Sequence, residues 1–245
     1  RQRLIQYFQD SIANLDEPAK IHQTTQEVLK EIAQMSQARI ADGEKNLDSI
    51  PKRSPVLAVV NHLGSYKVTE IIPEELGIKL PIDIIHPFPV YYAPLVPVGQ
   101  ILEDELFEAH VELPQPLYQV QQAANLIIVS PDSQGVLFNL QRQTRDLITR
   151  HPNALITVFP EGGTSGKRNG GRPYDLEEFK TGAFVIAAHL QIPVLPVCQY
   201  FNPSAGFELG VLPAIRVENT NDHDYFHQLA ESTRRSMQKW LNSRK

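Results

Sequence analysis

The chain has 245 residues and a net charge of -5, with 42% hydrophobic and 21% charged residues. The acidic balance argues against a nucleic-acid-binding protein, which needs a dense basic surface to neutralise phosphates, and the composition excludes disordered and collagen-like classes. The length predicts one main hydrophobic core. Cys198 is the single cysteine, so no disulfide forms within one chain, in keeping with a reducing, cytoplasmic setting. No apolar run follows Arg1, so we expect no secretory signal.

Residues 1–48 carry apolar side chains at helical spacing, which predicts a hairpin of two helices. The second helix would have Ile40 on its apolar face and would end at Gly43, a residue typical of helix C-terminal caps. We therefore expect a helical segment over residues 1–48, followed by a larger domain over residues 52–245.

The stretch from Ile84 to Leu102 contains no charged residue but includes four prolines. Each proline removes a backbone donor and clashes with the preceding helical turn. We therefore predict an irregular, apolar, partly buried segment rather than a membrane-spanning helix. It forms a wall for an acyl chain, a surface that touches lipid, or a connection packed on the core, and the packed connection is the simpler interpretation.

From Pro55 onward, short apolar runs alternate with helical stretches, which is typical of an α/β layer fold. We expect a mixed, mostly parallel sheet flanked by helices, with the helical hairpin before it and a helix at the C-terminus. The predicted strands are 56–60, 125–130, 154–159 and 194–197, and the predicted helices are 136–150, 176–190 and 223–245.

The last predicted helix has a cap candidate in Asn221 or Asp222. Its outer face is basic, and such a face contacts either solvent or anionic lipid, with solvent as the simpler interpretation. The residues of this outer face are Arg234, Arg235, Lys239, Arg244 and Lys245, and those of the inner face are Phe226, Leu229, Thr233, Met237 and Trp240.

Two polar motifs follow predicted strands. The first is Asn61-His62-Leu63-Gly64-Ser65-Tyr66-Lys67, and the second, about a hundred residues later, is Phe159-Pro160-Glu161-Gly162-Gly163-Thr164-Ser165. Ligands in α/β sheets bind outside the carboxyl ends of the strands. We therefore expect the His62 ring and the Glu161 carboxylate to face one shared cavity.

These motifs resemble those of the glycerolipid acyltransferase superfamily, which are N-H-x4-D and F-P-E-G-T-R-S. Two further stretches, Phe179-Lys180-Thr181-Gly182-Ala183 and Pro193-Val194-Leu195-Pro196-Val197, are similar to the family's F-K-x-G-A and P-V-x-P-V. The resemblance implies transfer of a fatty acyl group from acyl-CoA or acyl carrier protein to an acceptor hydroxyl, without a metal or bound cofactor. It also implies a cytoplasmic role in phospholipid biosynthesis, with or without peripheral contact with the membrane.

The resemblance makes His62 the general base, since neutral imidazole accepts a hydroxyl proton at neutral pH. Lys67 stands where the family has the aspartate that orients the histidine. Three explanations are open. Glu70, one helical turn further along, takes over the carboxylate's role; another carboxylate or a backbone carbonyl orients the ring; or acyl transfer has been lost, leaving a binding module for acyl lipids or acyl carriers.

In the second motif, Thr164 stands where the family has a phosphate-binding arginine. The acceptor is therefore glycerol-3-phosphate, lysophosphatidate, or a non-phosphorylated alcohol or amine. Glu161 and the glycine-rich turn would shape the acceptor pocket, and backbone N–H groups there would stabilise the oxyanion. The catalytic candidates are His62, Glu161, Glu70 and Lys67, and the substrate-binding candidates are Asn61, Ser65, Gly162, Gly163, Thr164, Ser165, Lys167, Arg168 and Lys180.

Overall fold

In the part of the chain that the structure describes, seven strands form one mixed sheet in the order β1-β7-β6-β2-β5-β3-β4. In the computed structural model, β1 and β7 at one edge run opposite to the other five strands, which are parallel to one another. This confirms the predicted α/β class and the mixed, mostly parallel sheet. The structure describes residues 38–48, 54–62, 98–103, 126–129, 135–163, 165–166, 174–202 and 204–245.

The strands are β1 Arg39–Asp42, β2 Val56–Val60, β3 Val98–Glu103, β4 Leu126–Val129, β5 Leu155–Val158, β6 Val194–Asn202 and β7 Gly206–Val211. β2 lies at the centre, and all five of its residues are buried. Its alternate residues pack into two core layers on opposite faces of the sheet, as a pleated strand requires. A continuous apolar run at this position is typical of a parallel strand covered on both faces.

The register of the central strands sets the position of the two motifs. Val59 of β2 pairs with Val158 of β5, and Val60 pairs with Val197 of β6. β2 and β5 therefore end side by side, and the residues that follow them emerge at the same edge of the sheet.

The helices are α1 Lys45–Asp48, α2 Val136–Arg150, α3 Gly182–Leu190 and α4 His223–Asn242. The prediction for α2 is confirmed at both ends. The side chain of Asp222 accepts hydrogen bonds from the N–H groups of Asp224 and Tyr225 (2.9 and 3.3 Å), so Asp222 rather than Asn221 caps α4. Among the described residues, no helix combines the length and hydrophobicity that a membrane span requires.

The prediction that Ile40 and Gly43 belong to a helix is wrong. Residues 39–42 form β1, which pairs with β7 and thus belongs to the main sheet. Gly43 does adopt the left-handed backbone expected of it, with φ +79°, but it turns the chain from β1 into α1. The boundary expected near residues 48–52 therefore divides one continuous sheet. The rest of the predicted hairpin lies outside the described residues.

Two other predictions need correction. Residues 176–181 were expected to open a helix, but α3 begins only at Gly182. Residues 98–102 were expected to be irregular, but they lie in β3, which pairs with both β4 and β5. Residues 84–97 of the proline-rich stretch lie outside the described part of the chain.

Candidate active site

His62 lies immediately after β2, and its backbone is fixed at both polar groups. Its N–H donates to Oε1 of Glu161 (3.1 Å), and its carbonyl accepts from the N–H of Ser165 (3.2 Å). The imidazole packs edge-on against the ring of Phe159, with 4.9 Å between the ring centroids. Hydrogen bonds and an aromatic contact thus connect the first motif to the second.

The side chain of Glu161 lies at the junction between the two motifs. Its carboxylate is completely buried and accepts hydrogen bonds from the N–H of His62 (3.1 Å), the hydroxyl of Ser165 (2.7 Å) and the N–H of Glu177 (2.9 Å). Burial raises the pKa of Glu161, while the three hydrogen bonds and the attraction to His62 oppose that rise. One side chain therefore connects three segments that are distant in sequence.

Asn61, the residue before His62, forms a second set of hydrogen bonds, with Gln199 of β6. The side-chain amide of Asn61 donates to the carbonyl of Gln199 (3.1 Å) and accepts from its N–H (2.6 Å). The side-chain amide of Gln199 donates to the carbonyl of Asn61 (2.9 Å). Both residues are fully buried. The asparagine side chain continues the pairing of β2 with β6 just where the backbone turns away to present His62.

The glycine-rich turn is shaped by its own backbone bonds. The N–H of Gly162 donates to the carbonyl of Phe159 (3.1 Å), and the N–H of Lys180 donates to that of Pro160 (2.8 Å). Gly162 has φ +60°, a conformation that favours glycine. The N–H of Gly163 donates to no other group within the described part of the chain, and Gly163 lines the cavity described next.

His62 lines a cavity of about 620 Å³, and most of the cavity's lining is apolar. Such a volume is typical of small-molecule sites. Gly182, Ile186 and His189, which lie on one face of α3, contribute to its wall. The cavity therefore follows α3 for about 10 Å, seven residues at the helical rise. Its other walls include the start of α2 and the end of β5.

The structure separates the predicted site residues into two sets. His62, Gly162, Gly163 and Lys180 line the cavity, whereas Asn61, Glu161 and Ser165 are buried behind it. The prediction that the Glu161 carboxylate faces the cavity is wrong, because three donors hold that carboxylate in the interior. The candidates Ser65, Lys67, Glu70, Thr164, Lys167 and Arg168 lie outside the described residues.

Sequence reasoning missed Gln199, Glu177 and the role of α3. Gln199 carried a signal, since it is a lone amide after the apolar start of β6. The backbone N–H of Glu177 carried none, because any residue except proline supplies that group. Within the described ranges, no three His, Cys, Asp or Glu side chains are grouped so as to hold a metal ion.

Two comparisons with known proteins gave a match. Residues 111–200 match the family model described as Acyltransferase. A solved structure, the 1-acyl-sn-glycerophosphate (LPA) acyltransferase PlsC from Thermotoga maritima, shares the fold with a TM-score of 0.60 at 15% identity, over 99% of this chain and 91% of that chain. No curated protein sequence matches the chain significantly. Residues 111–200 are thus similar to the Acyltransferase family, and the whole chain shares the fold of a known acyltransferase.

Proposed function

We propose that the chain transfers a fatty acyl group from acyl-CoA or acyl carrier protein to the hydroxyl of a lysophosphatidate-type acceptor, with His62 as the general base. The observation that carries the proposal is that His62 lines a mostly apolar cavity of about 620 Å³, while hydrogen bonds fix its backbone N–H and carbonyl groups. A base at the edge of an apolar cavity suits a reaction between a fatty thioester and an alcohol.

In the proposed reaction, neutral His62 takes the proton of the acceptor hydroxyl as its oxygen attacks the thioester carbonyl. The tetrahedral intermediate carries an oxyanion, and the N–H of Gly163 is the proposed donor to it. When the carbon–sulfur bond breaks, the proton on His62 passes to the departing thiolate. The products are the ester and the free thiol, and the imidazole is neutral again.

Glu161 is proposed as the positioning residue that substitutes for the family's aspartate. It bonds the backbone of His62, and it lies close enough for its charge to interact with the imidazole. A negative charge there offsets the positive charge that His62 gains during attack. This corresponds to the second of the three explanations for Lys67, a carboxylate from elsewhere in the fold.

Lys180 is the proposed contact for the acceptor's phosphate. Its side chain is exposed at the rim of the cavity, beside Gly162 and Gly163. The Thermotoga protein is a 1-acyl-sn-glycerophosphate acyltransferase, which supports a phosphorylated acceptor here. The acyl chain would extend along α3 between apolar side chains.

The test is release of free thiol from a long-chain acyl-CoA and from an acylated carrier protein, with lysophosphatidate or monoacylglycerol as acceptor. We expect His62→Ala to abolish turnover and His227→Ala, an exposed histidine of α4 outside the cavity, to preserve it. Lys180→Gln should raise KM for lysophosphatidate while leaving KM for monoacylglycerol unchanged. Equal turnover by wild type and His62→Ala would refute the proposed base, and thioester binding without turnover would support a binding module.

A further inference from the structure

The start of α2 exposes two large apolar side chains. Leu137 is 44% exposed and Phe138 69% exposed, which sets them apart from the other large apolar residues of the described chain. Leu137 also lines the cavity. Single exposed apolar residues are ordinary, but neighbouring ones beside a binding cavity mark a contact surface.

Basic side chains continue this surface along the helix. Arg142 follows Phe138 by four residues and Arg145 follows it by seven, so all three lie on one face. Both arginines are exposed, and within the described part of the chain neither guanidinium has an ion-pair partner. Asp146 is the one acidic residue of α2. We call Leu137, Phe138, Arg142 and Arg145 the α2 surface.

On α4, by contrast, most basic side chains form ion pairs with acidic residues. Arg234 and Arg235 both bond Glu231, and Lys245 bonds Asp175. Arg244 stacks on the indole ring of Trp240. Most positive charge on α4 is thus compensated within the protein, in agreement with the solvent-facing interpretation of that face. The α2 surface is therefore the better match for an anionic partner.

We propose that the α2 surface docks the enzyme on a bilayer that contains anionic lipid. Phe138 and Leu137 enter the interface between headgroups and acyl chains, and the two arginines contact the negative headgroups. Because Leu137 belongs both to this surface and to the cavity wall, a docked enzyme has its cavity opening at the lipid. The inference rests on the proposed function, which requires a lipid substrate.

An acidic carrier protein would also meet the two arginines. The position of Phe138 favours lipid, because its ring is largely in water and does not line the cavity through which a thioester arm would pass. Burial in hydrocarbon removes that apolar surface from water without needing a complementary protein pocket.

The experiment is flotation of the protein with vesicles of phosphatidylcholine alone and with vesicles that also contain phosphatidylglycerol. We expect stronger binding to the anionic vesicles, a loss of about fivefold for Arg142→Gln or Arg145→Gln, and about tenfold for Phe138→Ser. The matched control is Arg216→Gln, an exposed arginine between β7 and α4, which should bind as wild type does. Equal binding of all variants, or no preference of the wild type for anionic vesicles, would overturn the proposal.

Two further measurements separate this inference from the proposed function. Turnover of a water-soluble short-chain acyl-CoA should be unchanged in Phe138→Ser and in both arginine variants. If wild type turns over that substrate but does not float with anionic vesicles, docking is refuted and the proposed chemistry is not. If the same variants lose binding to an acidic acyl carrier protein while vesicle binding is unchanged, the α2 surface is a carrier site and the lipid proposal is wrong.

Discussion

The hydrogen bond from Ser165 to Glu161 gives a quantitative test of the junction behind His62. The hydroxyl and the carboxylate oxygen are 2.7 Å apart, and both residues are buried. A buried hydrogen bond to a charged group contributes about 1.5–3 kcal/mol, so Ser165→Ala should lower the free energy of unfolding by that amount. Glu161→Ala also leaves two backbone N–H groups without their acceptor, at a cost of about 1–3 kcal/mol each, partly offset because a desolvated carboxylate is removed.

The double variant distinguishes this account from a general loss of packing. Once Glu161 is alanine, Ser165→Ala should cost less than about 0.5 kcal/mol, so the two substitutions should couple by about 1–3 kcal/mol. Urea unfolding of the four proteins measures this coupling. Additive effects would show that the 2.7 Å contact does not carry the stability assigned to it.

The same four proteins test the link to catalysis. Glu161→Ala removes the acceptor of the His62 N–H, and a displacement of about 1 Å at a reacting group costs about a hundredfold in rate. Ser165→Ala leaves that bond in place and should reduce kcat far less. Equal losses of kcat in the two single variants would mean that Glu161 does not act through the backbone of His62.

Other expected outcomes concern packing, thiol reactivity and pH. Gly210→Ala should lower the free energy of unfolding by about 1–3 kcal/mol, because an added Cβ would collide with the indole of Trp240. Gly182→Ala is the control: its Cβ would be 3.9 Å from the nearest neighbouring atom, so this variant should lose no stability. Burial raises the pKa of the Cys198 thiol, so the native protein should resist thiol reagents at pH 8 and react only after denaturation; rapid labelling of native protein would contradict this. Hydrogen bonds from two arginines lower the pKa of Glu231 to about 2, from an ordinary 4.5. Its stabilising effect is therefore complete above pH 4.5 and disappears as the pH falls toward 2, so Glu231→Gln should lower Tm at pH 7 but not near pH 2. The difference at pH 7 should shrink in high salt, because the side chain is partly exposed to solvent.

The sequence allowed the central strands and both motif positions to be predicted, because their signals are local. β2 is a continuous apolar run, and such a run predicts a buried strand. Edge elements were harder to predict. β1 lies at the edge and is stabilised by pairing with β7, and a four-residue strand such as β1 has too few residues to show a period.

The orientation of Glu161 was not predictable for a different reason. A carboxylate after a strand is equally compatible with a cavity wall and with a buried acceptor, and the choice depends on how many donors reach it. Two of its three donors are backbone N–H groups, one of them sixteen residues away. Backbone donors leave no mark in a sequence.

The failed helix prediction at residues 176–181 is informative about function. The apolar spacing there continues that of α3, so local propensity favours one longer helix. In the structure, the N–H of Glu177 bonds Glu161, that of Lys180 bonds the carbonyl of Pro160, and that of Leu176 bonds the side chain of Gln238 on α4. A helix that began at Leu176 would instead bond the N–H of Lys180 to the carbonyl of Leu176, and the turn at Pro160 would lose that hydrogen bond. Local preference is overridden where the site needs the backbone, as expected when a functional constraint outweighs secondary-structure propensity.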